Sequence, residues 1–159
     1  MLIQRNIFRI LLAVVLNTAL LIGTIHAQTI TEKVVGVTDG DTITVLQDRT
    51  QYKIRLYGID TPEKSQDFGN RAKQFTRNLI FGKEVRVIGT DVGRHGRLIG
   101  MVYFGNVYVN QEIIRVGYGW TYNQYCKADV CREWVSMVSI NMEAKAKGEK
   151  KGLWAHRDH

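Results

Sequence analysis

Between Lys33 and Thr90 apolar side chains recur at every second position in short runs, and this alternation constrains the fold more than any other feature of the chain. The runs are Val34, Val35 and Val37; Ile43 and Val45; Tyr52, Ile54 and Leu56; and Val85, Val87 and Ile88. A period of two places alternate side chains on opposite faces of an extended strand, so these segments read as half-buried strands. Asp39-Gly40 between the first two runs predicts a tight hairpin turn. A further strand is expected over Leu98 to Phe104, with Gly105-Asn106 turning the chain into Val107 to Val109.

Three helices interrupt this pattern. Phe68, Ala72, Phe75 and Leu79 recur at offsets of four, three and four, which puts them on one helix face that Gly82 can end. A short helix is expected to start at Asn110 as its cap, turn Ile113 and Ile114 inward and stop at Gly117; a third runs from about Cys131 to Lys147 and stops at Gly148. Mostly strand with three helices is an α+β, mainly β domain, and a closed or nearly closed barrel with appended helices is one way to build it.

The N-terminal residues do not belong to this domain. Arg5 and Arg9 precede an apolar run from Ile10 to Ile25, and Ile25-His26-Ala27 places a small residue before the polar stretch that begins at Gln28. A charged start, a short apolar run and a small-residue exit read as a secretory signal peptide over residues 1–27, leaving a domain over 28–159 that is secreted or periplasmic. An uncleaved membrane anchor is the alternative, the run being only slightly shorter than a bilayer span. In an oxidising compartment Cys126 and Cys131, the two cysteines of the chain, can close a small disulfide loop; buried free thiols are the alternative.

The chain holds 22 Lys and Arg against 15 Asp and Glu, a net charge of +7, and without Arg5 and Arg9 the remainder still carries +5. A folded basic domain suggests a polyanionic partner, nucleic acid before an anionic membrane surface. The placement of charge says more than its sum. Asp39-Gly40-Asp41-Thr42-Ile43 is followed by Arg55-Leu56-Tyr57-Gly58-Ile59-Asp60-Thr61-Pro62-Glu63. Asp41 leaves a turn and Asp60 leaves a strand, so both can reach one barrel rim, where oxygen ligands from separate segments can hold Ca²⁺. Each piece alone is commonly a solvated turn. Together they fix eight residue types, a coincidence of roughly 10⁻¹⁰ per start position at average usage.

This arrangement resembles the signature of the staphylococcal (micrococcal) nuclease family, the thermonucleases. A second motif of that family is matched at Gly93-Arg94-His95-Gly96-Arg97-Leu98, and the likeness continues through Val109-Asn110 and Arg115-Val116-Gly117 to Gly152-Leu153-Trp154. Gly93 and His95 depart from it, standing where the family usually has an acidic residue and a tyrosine. The resemblance implies a five-stranded OB-type barrel with three α-helices and a Ca²⁺-dependent phosphodiesterase site on one face. By the same resemblance Asp41 and Asp60 are metal carboxylates, the Thr61 backbone carbonyl is a third ligand, and Asp39 acts through water. Arg55 and Arg97 match the phosphate-binding arginines and Glu63 the proposed general base. Arg94, His95, Tyr122 and Tyr125 are candidates for contact with the nucleotide.

The implied activity is that of a hydrolase, cleaving DNA and RNA with little sequence preference, favouring single-stranded or locally opened substrate and leaving 3′-phosphate and 5′-hydroxyl ends. The implied protein is a monomer without stable membrane association once its leader is removed. The competing expectation is a catalytically silent OB-fold binding module. Retention of Asp41, Arg55, Asp60, Glu63 and Arg97 as a complete, mutually dependent set favours the enzyme. Lys145, Lys147, Lys150 and Lys151 read as a solvated helix end, because cations suit helix C-termini. Trp134 and Trp154 read as packing residues.

Overall fold

A computed structural model describes residues 29–93, 97–122 and 138–155. In chain order these form β1 (Thr29–Val37), β2 (Thr42–Gln47), β3 (Thr50–Leu56), β4 (Ile59–Asp60), α1 (Gly69–Ile80), β5 (Glu84–Val92), β6 (Leu98–Phe104), β7 (Val107–Tyr108), α2 (Val109–Arg115), β8 (Trp120–Thr121) and α3 (Val138–Gly148), ending in a 3₁₀ turn over Gly152–Ala155.

Five strands lie in the order β3-β2-β1-β5-β6, antiparallel neighbour to neighbour, and a parallel pairing of β3 with β6 closes them into a barrel. Closure leaves no open edge among the five. Its register sets Arg55 against Ile99 and Leu56 against Gly100, so the segment after Arg97 runs beside the segment that carries Arg55. The alternation seen in the sequence turns Val34, Ile43, Val45, Ile54, Leu56 and Val87 into a core from which water is excluded. Each such side chain contributes roughly 1.5–3 kcal/mol by the apolar area it buries.

The helices pack on the barrel core through Ile80, Ile113 and Ile114 and differ in detail from the sequence expectation. The fully buried stripe of α1 is Ala72, Thr76 and Ile80, with Phe75 and Leu79 packed beside it. Phe68 precedes the helix as its N-cap with φ 64°, and Gly82, φ 76°, lies beyond its end. An apolar periodicity passes over Thr76 because its hydroxyl is polar, yet that hydroxyl is satisfied by donating to the Gly40 carbonyl at 2.7 Å.

In α2 the cap is Tyr108 and makes no side-chain capping bond, so Asn110 is not the cap that its residue type suggested; Val109, expected at a strand end, begins this helix. Asn110 is 1% exposed and is used inside: its Oδ1 accepts from the Val102 N–H at 3.1 Å, and its Nδ2 donates to the carbonyls of Tyr57 at 2.9 Å and Gly100 at 3.3 Å. Buried backbone groups need partners, and a side chain with both donor and acceptor supplies them where the ladder does not.

The third helix is described from Val138 to Gly148; Cys126, Cys131 and Trp134 lie outside the described residues. Trp154 is half-buried under the Lys147 ammonium, 4.4 Å from its ring, in keeping with a packing residue.

Candidate active site

The β1–β2 connection is wider than a two-residue turn. Residues 38–41 form the loop, and the Thr38 N–H donates to the Thr42 carbonyl across its base at 2.8 Å. Gly40 is buried there, and a Cβ on it would stand 2.8 Å from Thr61 Oγ1 and 2.9 Å from Ala72 Cβ. Glycine is therefore required by close approach, and that approach brings the loop onto the Asp60–Thr61 segment. Thr76 holds it from below through the Gly40 carbonyl.

Asp41 follows Gly40 and is 4% exposed. Its Oδ2 accepts from the Thr61 N–H at 2.9 Å and the Thr61 hydroxyl at 3.0 Å, and its Oδ1 from the Thr42 hydroxyl at 3.1 Å. Asp39 accepts from the Asp41 N–H at 3.2 Å. Asp60 is placed by the pairing of β4 with β8, which sets it against Trp120, while the Tyr122 N–H donates to the Gly58 carbonyl at 2.9 Å.

Arg55 joins these parts. Its Nη1 lies 3.0 Å from Asp41 Oδ1 and its Nη2 donates to Asp60 Oδ1 at 2.7 Å, while Nη1 also donates to the carbonyls of Ile59 at 3.0 Å and Leu56 at 3.2 Å. A planar guanidinium can hold two carboxylates and two carbonyls at once; an ammonium cannot match that geometry. Burial pushes the Asp41 carboxyl up to about 7 against the pull of Arg55, and the neighbouring Asp39 adds to the rise. Asp41 and Asp60 share this one guanidinium, so the two carboxylates when ionised carry one more negative charge than it neutralises.

That shortfall, with the chemistry of the donors, fits a hard cation. Carboxylates from Asp41 and Asp60 and the carbonyl of Thr61 are the oxygen ligands that Ca²⁺ takes, with water completing its shell of six to eight. Among the described residues no group of three or more His, Cys, Asp or Glu side chains gathers at one point; the acids brought together here are Asp41 and Asp60, joined through Arg55.

On the other side of Arg55 a cleft of about 300 Å³ opens at the barrel rim. Arg55, Arg97 and Tyr122 line it together with Tyr57, Ile59, Asp91 and Ile99. Arg97 makes no ion pair among the described residues, whereas Arg55 is bound to both acids. The structure thus brings Asp41, Thr61, Asp60 and Arg55 into one bonded group and sets Arg55, Arg97 and Tyr122 around one cavity. Glu63 lies apart from that lining, exposed on the loop before α1, where its N–H donates to the Gln66 side-chain carbonyl at 2.7 Å. Arg94, His95 and Tyr125 lie outside the described residues.

The lysine cluster stands elsewhere and is largely neutralised: Lys147 meets Glu143 at 2.7 Å, Lys145 meets Glu149 at 3.9 Å, and Lys151 also pairs with Glu149. Of the neighbouring aromatic residues Tyr118, Trp120 and Tyr122, Tyr118 packs on Phe75 with ring centroids 5.6 Å apart, and Tyr122 is the one that lines the cleft among the described residues.

Sequence reasoning missed Tyr57, Asp91 and Thr76. Tyr57 was legible as a candidate, lying between Arg55 and Asp60 on the same segment. Asp91 had no local signal, because an irregularity between Gly89 and Asp91 sets which way it faces.

Comparison with known proteins gives the same direction. The family model described as Staphylococcal nuclease homologue matches residues 53–156. A protein described as an uncharacterized endonuclease from Escherichia coli O157:H7 is 38% identical over 127 residues, covering 79% of this chain and 78% of its own. Another of the same description from Haemophilus influenzae is 35% identical over 147 residues, covering 89% and 78%. A micrococcal nuclease from Shigella flexneri is 35% identical over 132 residues, covering 77% and 72%.

Proposed function

Because the chain belongs to the staphylococcal nuclease homologue family, whose activity class is nucleic-acid hydrolysis, we propose that it is a secreted, Ca²⁺-dependent phosphodiesterase. It hydrolyses DNA and RNA with little sequence preference, favours single-stranded or locally opened substrate, and leaves 3′-phosphate and 5′-hydroxyl ends. The observation that carries this reading is Arg55, which binds both Asp41 and Asp60 and at the same time lines the cleft with Arg97.

A phosphodiester repels an incoming nucleophile, and the pentacoordinate transition state carries still more negative charge. Arg97 meets a phosphate oxygen with its forked N–H groups, and Arg55 offers a second cation in the same cleft. Asp41 and Asp60, with the Thr61 carbonyl and Asp39 through water, would hold Ca²⁺, which when bound supplies the divalent charge that neutralises phosphate. Glu63 accepts a proton from water or orients it for in-line attack on phosphorus. The new P–O bond forms as the bond to the 5′ oxygen breaks, and that oxygen leaves as a hydroxyl after taking up a proton. Tyr122 in the cleft offers a ring on which a base of any identity can stack, worth about 1–3 kcal/mol; Tyr125, Arg94 and His95 are assigned to contact with the nucleotide.

Residues 1–27 serve as the signal peptide, 28–159 as the nuclease domain, Cys126 and Cys131 as a disulfide formed after export, and the mature enzyme works as a monomer. The test is digestion of heat-denatured DNA by residues 28–159 with Ca²⁺ or with a chelator, beside Glu63→Gln and Arg97→Lys. Ca²⁺-dependent cleavage that both substitutions abolish, with unchanged circular dichroism, supports the assignments. Binding without any Ca²⁺-dependent cleavage in the parent refutes them.

A further inference from the structure

The cleft does not end at the two arginines. Antiparallel pairing of β5 with β6 sets Asp91 opposite Ile99, Ile88 opposite Met101 and Arg86 opposite Tyr103. Directly opposed residues share a sheet face, and Val87 and Val102, paired between them, are fully buried in the barrel. The row from Asp91 to Arg86 therefore lies on the outer face, and the irregularity between Gly89 and Asp91 keeps Asp91 in line with it. Asp91 and Ile99 already line the cleft.

This outer row is built over. Tyr57, itself a lining residue of the cleft, forms with Met101 a second apolar cluster, distinct from the barrel core, against which Ile88, Ile99, Tyr103 and Tyr108 pack. Tyr108 stacks on Tyr103 with centroids 4.8 Å apart and planes 19° from parallel. The Arg86 guanidinium lies 4.5 Å from the Tyr103 ring centroid, is exposed, and has no carboxylate partner among the described residues. A guanidinium resting its flat face on a ring is held in place while its N–H edge stays available to an anion.

Tyr57 is buried and the Tyr103 ring is flanked by Tyr108 and Arg86, so neither is an open stacking ring; what this face offers is an oriented, unneutralised cation in line with an arginine-lined cleft, which is how a positively charged groove tracks the backbone of a single strand. We infer that the outer face of the β5–β6 hairpin extends the substrate site, with Arg86, set by Tyr103 and Tyr108, binding a backbone phosphate of a single-stranded polynucleotide that continues out of the cleft. The inference rests on the nuclease reading. Tyr103 lies four residues along β6 from Ile99, about 13 Å of strand. At about 3.4 Å per stacked nucleotide that distance is about four nucleotides.

The test uses the purified chain, its Arg86→Ala and Arg86→Lys variants, and Tyr103→Leu to remove the ring under the cation. KM is measured for single-stranded oligonucleotides of about two to about twenty nucleotides, and binding of the longest is measured in chelator across a salt series. The parent's KM should fall with length past about four nucleotides. Arg86→Ala should lose about three- to tenfold of that gain, and its log–log salt slope should be shallower by about 0.7, one single-strand phosphate contact. Arg86→Lys should keep the slope and recover part of the gain; Tyr103→Leu should lose part of the gain with the slope kept. Length dependence and salt slope identical to the parent in Arg86→Ala would overturn the inference while leaving the nuclease reading intact. A parent that cleaves no oligonucleotide of any length overturns both.

Discussion

Replacing Asn110 should unfasten the wall of the cleft from the barrel. The residue is 1% exposed, and its amide satisfies the Val102 N–H and the carbonyls of Tyr57 and Gly100. Gly100 keeps a second partner, because its carbonyl also accepts from the Tyr57 N–H at 2.9 Å. Asn110→Leu fills similar volume without a polar atom, so it removes the acceptor of the Val102 N–H and the donor to the Tyr57 carbonyl.

A buried polar group left without a partner costs about 1–3 kcal/mol, which puts the loss at about 2–6 kcal/mol for the two. That is a large fraction of the roughly 5–15 kcal/mol that holds a domain of this size together. The expected fall in Tm is on the order of 10 °C or more. Asn110→Asp separates donor from acceptor: it keeps the acceptor for Val102 but turns carboxylate oxygens toward two carbonyls. Its penalty at neutral pH should equal or exceed that of the leucine, and should shrink on acidification as protonation restores one donor. The assay is urea unfolding followed by tryptophan fluorescence, with the dependence on urea checked for constancy. A loss under about 1 kcal/mol for the leucine variant, or an aspartate variant as stable as the parent at neutral pH, would refute the reasoning.

Gly40→Ala should destabilise by about 1–3 kcal/mol and depress nuclease activity further, because the added Cβ collides with Thr61 and Ala72 and shifts Asp41; thermal melts and digestion rates on one preparation read both effects. Thr76→Val, which removes the bond to the Gly40 carbonyl, should cost about 1–2 kcal/mol, and Thr76→Ser should restore most of it in the same melts. Burial raises the Glu143 carboxyl, but bonds from Lys147 and Thr121 outweigh burial and hold it below the ordinary carboxylate range. A carboxyl lowered in the folded state stabilises above its unfolded pKa and loses that contribution as pH falls through the folded one, so Glu143→Gln should flatten stability against pH on the acid side. Ca²⁺ should stabilise the fold by the linkage expected of a bound ion, about 2.7 kcal/mol at a hundredfold excess over Kd, read as a rise in Tm that Asp60→Asn should remove.

The sequence by itself determined the barrel strands and the three helices, because each rests on a local rule. A period of two marks a strand wherever it falls, whereas Asp41, Arg55, Asp60 and Glu63 stood out through the resemblance of two short segments to a family signature. It also misread Asn110, whose residue type favours a helix cap, and passed over Thr76, whose polarity hides it from an apolar count. Both are buried polar side chains, and burial of that kind is acceptable only where a distant backbone group stands ready as partner.

Only the tertiary structure decided those partnerships. The parallel pairing of β3 with β6 is a contact across more than forty residues of chain, and it brings Arg97 to the cleft that Arg55 lines. Gly40 reads as a turn glycine in the sequence; in the fold it is the gap through which the Asp41 loop closes on Thr61. Local propensity records what a residue can do with its neighbours in the chain, and the site is made of neighbours in space, joined by closure of the barrel.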